Sequence, residues 1–220
     1  MREEVAAWVL EVPEAGVASL PGLCLLDVAE RERMAAFVHE ADRVQYAFAH
    51  IALRKALGDW LGMAPAKLSF AREACPCCGG PHGRPILAAS SAAPVEFSLS
   101  HGGRMVAIAL ARVAVGVDVE PVPDEQVATK VSARLHPDER AEIEACEVPE
   151  RAARFTRLWA RKEAYLKALG TGLGRDLSVD DCRQDFPGWC IADLEVAADH
   201  RGAVAVRSDS GCQVRQHCSL

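Results

Sequence analysis

The residues best placed to do chemistry sit in "VAVGVDVEPVP" at 113–123, where Asp118 and Glu120 interrupt a run of valines. Side chains of a β-strand alternate between faces, so Val117 and Val119 belong to a buried face while Asp118 and Glu120 project together from the other. Two carboxylates side by side repel, and Pro121 ends the strand, which leaves the pair at its C-terminal end where a site can open. The plain reading is an edge strand with its polar face in water. The chemical reading is a hard divalent cation between the two, because Mg²⁺ takes one or two carboxylates and completes its shell with phosphate oxygens and water. A third ligand decides between these readings.

Glu163 and Lys167 are the next candidates: four residues apart in a helical stretch, they project from one side. As an exposed ion pair they would contribute only about 0.3–0.5 kcal/mol. Lys162, by the same reasoning, is a solvated charge or an amphipathic stem along the core edge. If Asp118, Glu120 and Glu163 converge, however, the pocket is unfavourable unless a divalent cation neutralises it. With Lys167, His101, Arg54 and Arg84 around it, such a pocket suits a polyphosphate, whose oxygens bind both the metal and the basic groups. No cysteine or serine stands beside an evident base. The chemistry expected is therefore phosphoryl-type transfer by positioning and electrostatics, without a covalent enzyme intermediate.

These residues need elements to position them. Residues 1–27 read as a strand and a Pro/Gly turn, and the following stretch to Gly62 as largely helical, with Val44, Phe48, Ile51 and Leu57 on one apolar stripe and Gly58 or Gly62 as its stop. Arg54 stands off that stripe and, taken alone, reads as solvated. Residues 71–94 read as a long loop. "VEFSLS" and "MVAIALA", joined by "HGGR", form a β-hairpin with Ser100 and His101 at its tip. A strand carrying Asp118 and Glu120 follows. Helices resume at "HPDERAEIEAC", with Pro137 at the first helical position, and at "ERAARFTRLWARKEAYLKALGTGLG". There Phe155, Leu158, Trp159, Leu166 and Leu169 make the buried face, and Gly170 with Gly172 ends the helix. Short strands fill roughly 176–220.

The whole chain sets limits on function. Its 220 residues, half hydrophobic and a quarter charged, suit an ordinary globular protein of one large domain or two small ones. A net charge of −6 argues against nucleic acid as a partner. No window approaches the roughly 18 apolar residues of a membrane span, and the expected compartment is the cytoplasm. The nine cysteines lack the even spacing of a disulfide framework and read as reduced thiols. "CPCCGGPHG" offers half a zinc site in Cys75, Cys78 and His82. Without a second C-x-x-C it reads first as a glycine-rich turn.

The ordered set "GRP" at 83–85, "FSLSH" at 97–101, "GVDVE" at 116–120 and "WARKEAYLK" at 159–167 resembles the surfactin-synthetase-activating type of 4′-phosphopantetheinyl transferase. The resemblance covers roughly residues 30–175. It implies an α+β fold of two similar α/β lobes related by a pseudo-twofold, residues 1–112 and 113–220, with coenzyme A in the cleft between them. It also implies Mg²⁺, or Mn²⁺, on Asp118, Glu120 and Glu163, with Glu163 as base for the incoming serine hydroxyl. Lys167 then stabilises charge on the departing pyrophosphate. Arg33, Arg54, Arg84, Ser100, His101 and Lys162 join Lys167 in holding coenzyme A. His50 stands where many relatives carry arginine, and Arg33 is the one upstream cation matched. The thiols of "CPCCGGPHG" have no role in the pattern. The implied reaction moves the 4′-phosphopantetheine arm of coenzyme A to a serine of an apo acyl, peptidyl or aryl carrier protein, performed by a monomer. A rival reading is a non-catalytic, metal-dependent module that binds coenzyme A or a nucleotide.

Overall fold

The structure, a computed structural model, describes residues 2–81, 83–88 and 94–220. Strand β1 (Glu3–Glu11) is followed by helices α1 (Val28–Ala35) and α2 (Glu40–Leu61), the short strands β2 (Phe70–Arg72) and β3 (Pro85–Leu87), and the hairpin of β4 (Glu96–Gly102) and β5 (Met105–Ala111). Strand β6 (Val115–Pro121) comes next, then helices α3 (Glu125–Ser132), α4 (Pro137–Glu144) and α5 (Val148–Leu169) and strands β7 (Trp189–Leu194), β8 (His200–Arg207) and β9 (Cys212–His217). Among the described residues no helix is long and apolar enough to cross a membrane.

One topology is used twice. In the first sheet β1 pairs antiparallel with β5 and β5 with β4; in the second, β6 pairs antiparallel with β8 and β8 with β7. Each unit is thus a strand, a 22-residue helix (α2 or α5) and a hairpin whose second strand lies in the middle. The first sheet gains a fourth strand when β9 pairs in parallel with the far edge of β1. Residues 212–217 therefore sit on the first sheet, although the sequence reading groups them with the second lobe.

Strand alternation explains the layering. Val106, Ile108 and Leu110 of β5 point to α2, where they pack with Ala49, Leu53, Ala56 and Leu57. Ala107, Ala109 and Ala111 point the other way and meet Val115, Val117, Val119, Val204 and Val206 of the second sheet. On the outer face of that sheet Ala203 and Ala205 lie against Ala160, Ala164 and Ala168 of α5. Small residues on both sides bring the layers close, and each buried valine contributes about 1.5–3 kcal/mol.

Several sequence expectations are corrected. The helical stretch after residue 27 is two helices: Asp27 and Glu30 form a capping box that starts α1, and the break before α2 is held by Arg43 donating to the carbonyls of Phe37 and Val38. The long loop of 71–94 contains the paired strands β2 and β3. Helix α3, started by Asp124, lies in a proline-flanked stretch to which the sequence reading assigned no helix. Two cysteines expected as thiols, Cys190 of β7 and Cys212 of β9, form a disulfide that ties the two sheets. Their approach depends on β9 crossing to the first sheet, which spacing alone does not reveal.

Candidate active site

Strand β6 turns Gly116, Asp118 and Glu120 toward α5, and Gly116 sets the distance. A Cβ at position 116 would stand 2.0 Å from the Ala164 carbonyl oxygen and 2.5 Å from the Ala168 nitrogen. Only glycine lets the helix lie this close, with Glu163 and Lys167 over the acidic end of the strand.

The contacts there are short and charged. Asp118 is 1% exposed. Its Oδ1 accepts from Lys167 Nζ at 2.6 Å and from Ser100 Oγ at 2.8 Å, and Lys167 Nζ also reaches Ser100 Oγ at 2.8 Å. Ser100 arrives because β4 meets the open edge of β6, where Ser98 Oγ accepts from the Val117 N–H at 3.1 Å. The surface Glu163–Lys167 pair of the plain reading is thus replaced by a Lys167–Asp118 contact between strand and helix.

Charge is still unbalanced. Burial first, and then the negative charges of Asp118 and Glu163, push Glu120 up to about 7 against the opposing effects of Lys167 and the Trp159 indole. Burial followed by the Asp118 charge also raises Glu163. Asp118 Oδ2 and Glu163 Oε1 are buried oxygens with no hydrogen-bond donor, an arrangement costly unless a cation meets them. Oxygen donors of this kind suit Mg²⁺, so the residues present fit the expected metal. A tighter grouping lies elsewhere: among the described residues, the ligand atoms of His136, Asp138 and Asp181 all fall within 4.8 Å of one another. There Arg183 already pairs with both aspartates, at 3.2 and 2.7 Å.

Lys167 is the cation bonded to Asp118; the other basic candidates make contacts of their own. Burial and then the charges of His50 and Lys167 lower the pKa of His101 at the end of β4, so α2 and α5 both face this ring. His50 Nδ1 lies 2.9 Å from Glu30 Oε1, and its ring stacks on Tyr46 at 4.1 Å. Arg33 is exposed, 5.3 Å over the Phe37 ring. Arg84 runs beside Gly170 at the end of α5 and pairs with Glu73 at 2.6 Å and Glu96 at 2.9 Å.

Two further candidates are bonded inside the fold. Arg54 is 0% exposed, bonded to Glu30 Oε2, Asp27 Oδ2 and the carbonyls of Pro65 and Leu68, with its guanidinium 5.0 Å over Phe70. Lys162 is 1% exposed, 2.8 Å from Glu139 Oε2 and bonded to the Leu177 and Asp180 carbonyls. Neither is the solvated charge of the sequence reading, and their cationic ends are turned into the fold. Sequence reasoning missed the partners that hold them, Asp27, Glu30 and Glu139. The D-x-x-E spacing of Asp27 and Glu30 was a readable cap signal; nothing local marks Glu139. It also placed Trp159 only on the buried face and overlooked its contact with Glu120.

Residues 114–213 match the model of the 4′-phosphopantetheinyl transferase superfamily. A protein named 4′-phosphopantetheinyl transferase from Bacillus subtilis is 25% identical over 75% of this chain and 69% of its own length. A phosphopantetheinyl transferase from Thraustochytrium sp. is 30% identical over 77% of this chain and 62% of its own. The 4′-phosphopantetheinyl transferase HetI from Nostoc sp. is 26% identical over 94% of this chain and 89% of its own. The matched segment holds the second unit, with the acidic site on β6 and α5, and the relatives above extend over parts of the first. The Nostoc match runs across both units of the chain.

Proposed function

We propose that the chain is a Mg²⁺-dependent 4′-phosphopantetheinyl transferase of the surfactin-synthetase-activating type, acting on apo acyl, peptidyl or aryl carrier proteins. The observation that carries this reading is the pair of buried, donor-less oxygens, Asp118 Oδ2 and Glu163 Oε1, beside the Lys167 ammonium. Asp118, Glu120 and Glu163 would hold the metal, which when bound polarises the phosphorus centre and neutralises the leaving oxygen.

The chain's own groups do the rest. A serine hydroxyl is a weak nucleophile, and Glu163, its pKa raised by burial and by Asp118, takes its proton as the serine oxygen bonds to phosphorus. The bond from phosphorus to the 3′,5′-bisphosphate half of coenzyme A breaks, and Lys167 meets the charge that collects there. Ser100 holds the ammonium of Lys167 in place. Arg33 and Arg84 supply the positive charge for the nucleotide, with the His101 ring as a hydrogen-bonding group beside Lys167. The same reading places the reaction in the cytoplasm. A panel of apo carrier proteins incubated with coenzyme A and Mg²⁺ and read by intact mass tests the reading: one phosphopantetheine added to at least one carrier is expected, and no transfer to any member overturns it.

A further inference from the structure

His82, grouped with Cys75 and Cys78 in the sequence reading, lies outside the described residues; the buried histidine that the site above leaves unused is His200. It opens β8 opposite Pro121, the last residue of β6, and is 2% exposed. Its Nδ1 stands 2.8 Å from Asp199 Oδ1. A carboxylate there accepts, so a neutral ring carries its proton on Nδ1 and leaves a bare lone pair at Nε2. Nε2 is buried and, among the described residues, has no hydrogen-bond partner, which in a folded protein calls for a reason.

The reason is the end of the β4–β5 hairpin, Gly102 and Gly103, which is pressed against this ring and the strand beside it. A Cβ on Gly103 would stand 2.6 Å from His200 Nε2 and 3.5 Å from Pro121 Cβ, and one on Gly102 would stand 2.5 Å from the Val119 carbonyl oxygen. An unprotonated nitrogen needs less room than a C–H or N–H edge, so backbone and ring close together without a gap. From the other side Gln45 of α2 donates to the Gly103 carbonyl at 2.7 Å. The hairpin end is thus held between α2 of the first unit and β6 and β8 of the second. Ser100 and His101 directly precede it, and Ser100 Oγ is bonded to both Asp118 and Lys167.

We infer, on the transferase reading above, that His200 is a positioning residue for the reaction, a stop that fixes the end of β4 so that Ser100 holds the Lys167 ammonium against Asp118. The ring touches no substrate and acts through Ser100. Removing it leaves a cavity that its neighbours fill only in part, and a shift of about 1 Å in a group that orients the reaction costs about 10²-fold in rate.

The full chain carrying His200→Ala, Ser100→Ala or both is compared with the unsubstituted protein for transfer rate at saturating coenzyme A and Mg²⁺. His200→Ala should lower kcat by about 10- to 100-fold, but by about twofold or less where Ser100 is already alanine, because two residues acting through one contact do not add. Losses that multiply as independent ones do would overturn the inference. Hydrogen exchange on the same proteins needs no carrier: the amides of residues 98–102 in β4 should exchange about tenfold faster or more in His200→Ala, while α5 and the centre of β8 keep their protection. Unchanged exchange in β4, or a loss of protection spread evenly over the chain, would overturn it as well. Should His200→Ala fail to fold, Gly103→Ala, which drives a methyl group onto the same ring from the hairpin, takes its place with the same two expectations. Without transfer by the unsubstituted protein the transferase reading falls, and exchange in β4 alone then decides whether the ring holds the hairpin.

Discussion

Lys167 touches two oxygens at once, Asp118 Oδ1 and Ser100 Oγ, while Glu163 keeps a buried oxygen without any donor. Their losses should therefore differ in kind. Glu163→Gln removes a metal ligand together with a base and should cost about 10²–10⁴-fold in kcat, part of it recovered at high Mg²⁺. Lys167→Met removes charge stabilisation that Mg²⁺ does not restore. Transfer rates across a Mg²⁺ titration, with thermal melts as folding control, distinguish the two; near wild-type rates in both variants would refute the site. Lys162 makes the opposite case. Its ammonium is consumed by Glu139 and two carbonyls, so Lys162→Met should cost about 3–5 kcal/mol by stranding a buried carboxylate. Glu139→Leu with Lys162→Met should recover much of that in urea unfolding. Should Lys162→Met instead raise the Kd for coenzyme A at unchanged stability, the side chain serves the ligand after all.

Between β6 and α5 the decisive contact is an absence of atoms. A methyl group at position 116 would overlap the Ala164 carbonyl, so Gly116→Ala must push the helix outward. The expected cost is about 1–3 kcal/mol, and because Glu163 and Lys167 ride on that helix, kcat should fall more than stability does. Denaturant unfolding compared with initial rates checks this; a variant that loses stability but keeps its rate would show that the helix position is not what the reaction needs. The sequence made this pair of elements legible, since the alternation around Asp118 and the period that places Lys167 one turn after Glu163 are local signals. It did not show which surfaces meet. The plain reading put the other side of the β6 valines in water, whereas α5 covers it. Arg54 was misread for the same reason: its partners Asp27 and Glu30 lie on another helix, and no spacing rule connects them to it.

For the molecule as a whole, acid should act through Glu30. Burial tends to raise its pKa, but bonds from His50, the Asp27 N–H and Arg54 win and hold it below its ordinary value. A carboxylate depressed in the folded state adds stability above its unfolded pKa and loses it as pH falls through the folded value. Glu30→Gln should accordingly destabilise at neutral pH, and the gap to wild type should narrow in acid. Urea titrations from neutral pH down to about 3, below the usual carboxylate range, measure this; a gap independent of pH would assign the effect to packing. Removal of divalent metal should act on activity alone: chelation is expected to stop transfer and added Mg²⁺ to restore it. The twofold use of one topology is likewise a whole-molecule property: it was legible in the sequence only through the family resemblance, since no direct repeat is visible along the chain.

The pairing of β9 with β1 has a further meaning for a chain made in one direction. During synthesis the outer edge of β1 must wait, its amide and carbonyl groups unsatisfied, until residues 212–217 leave the ribosome. Everything between them, including the complete β6–α5 unit, is made in that interval. An open strand edge is a template for association with other chains, so the nascent protein is exposed to mispairing until β9 has emerged. Pairing with β9 converts that vulnerable edge into an interior one.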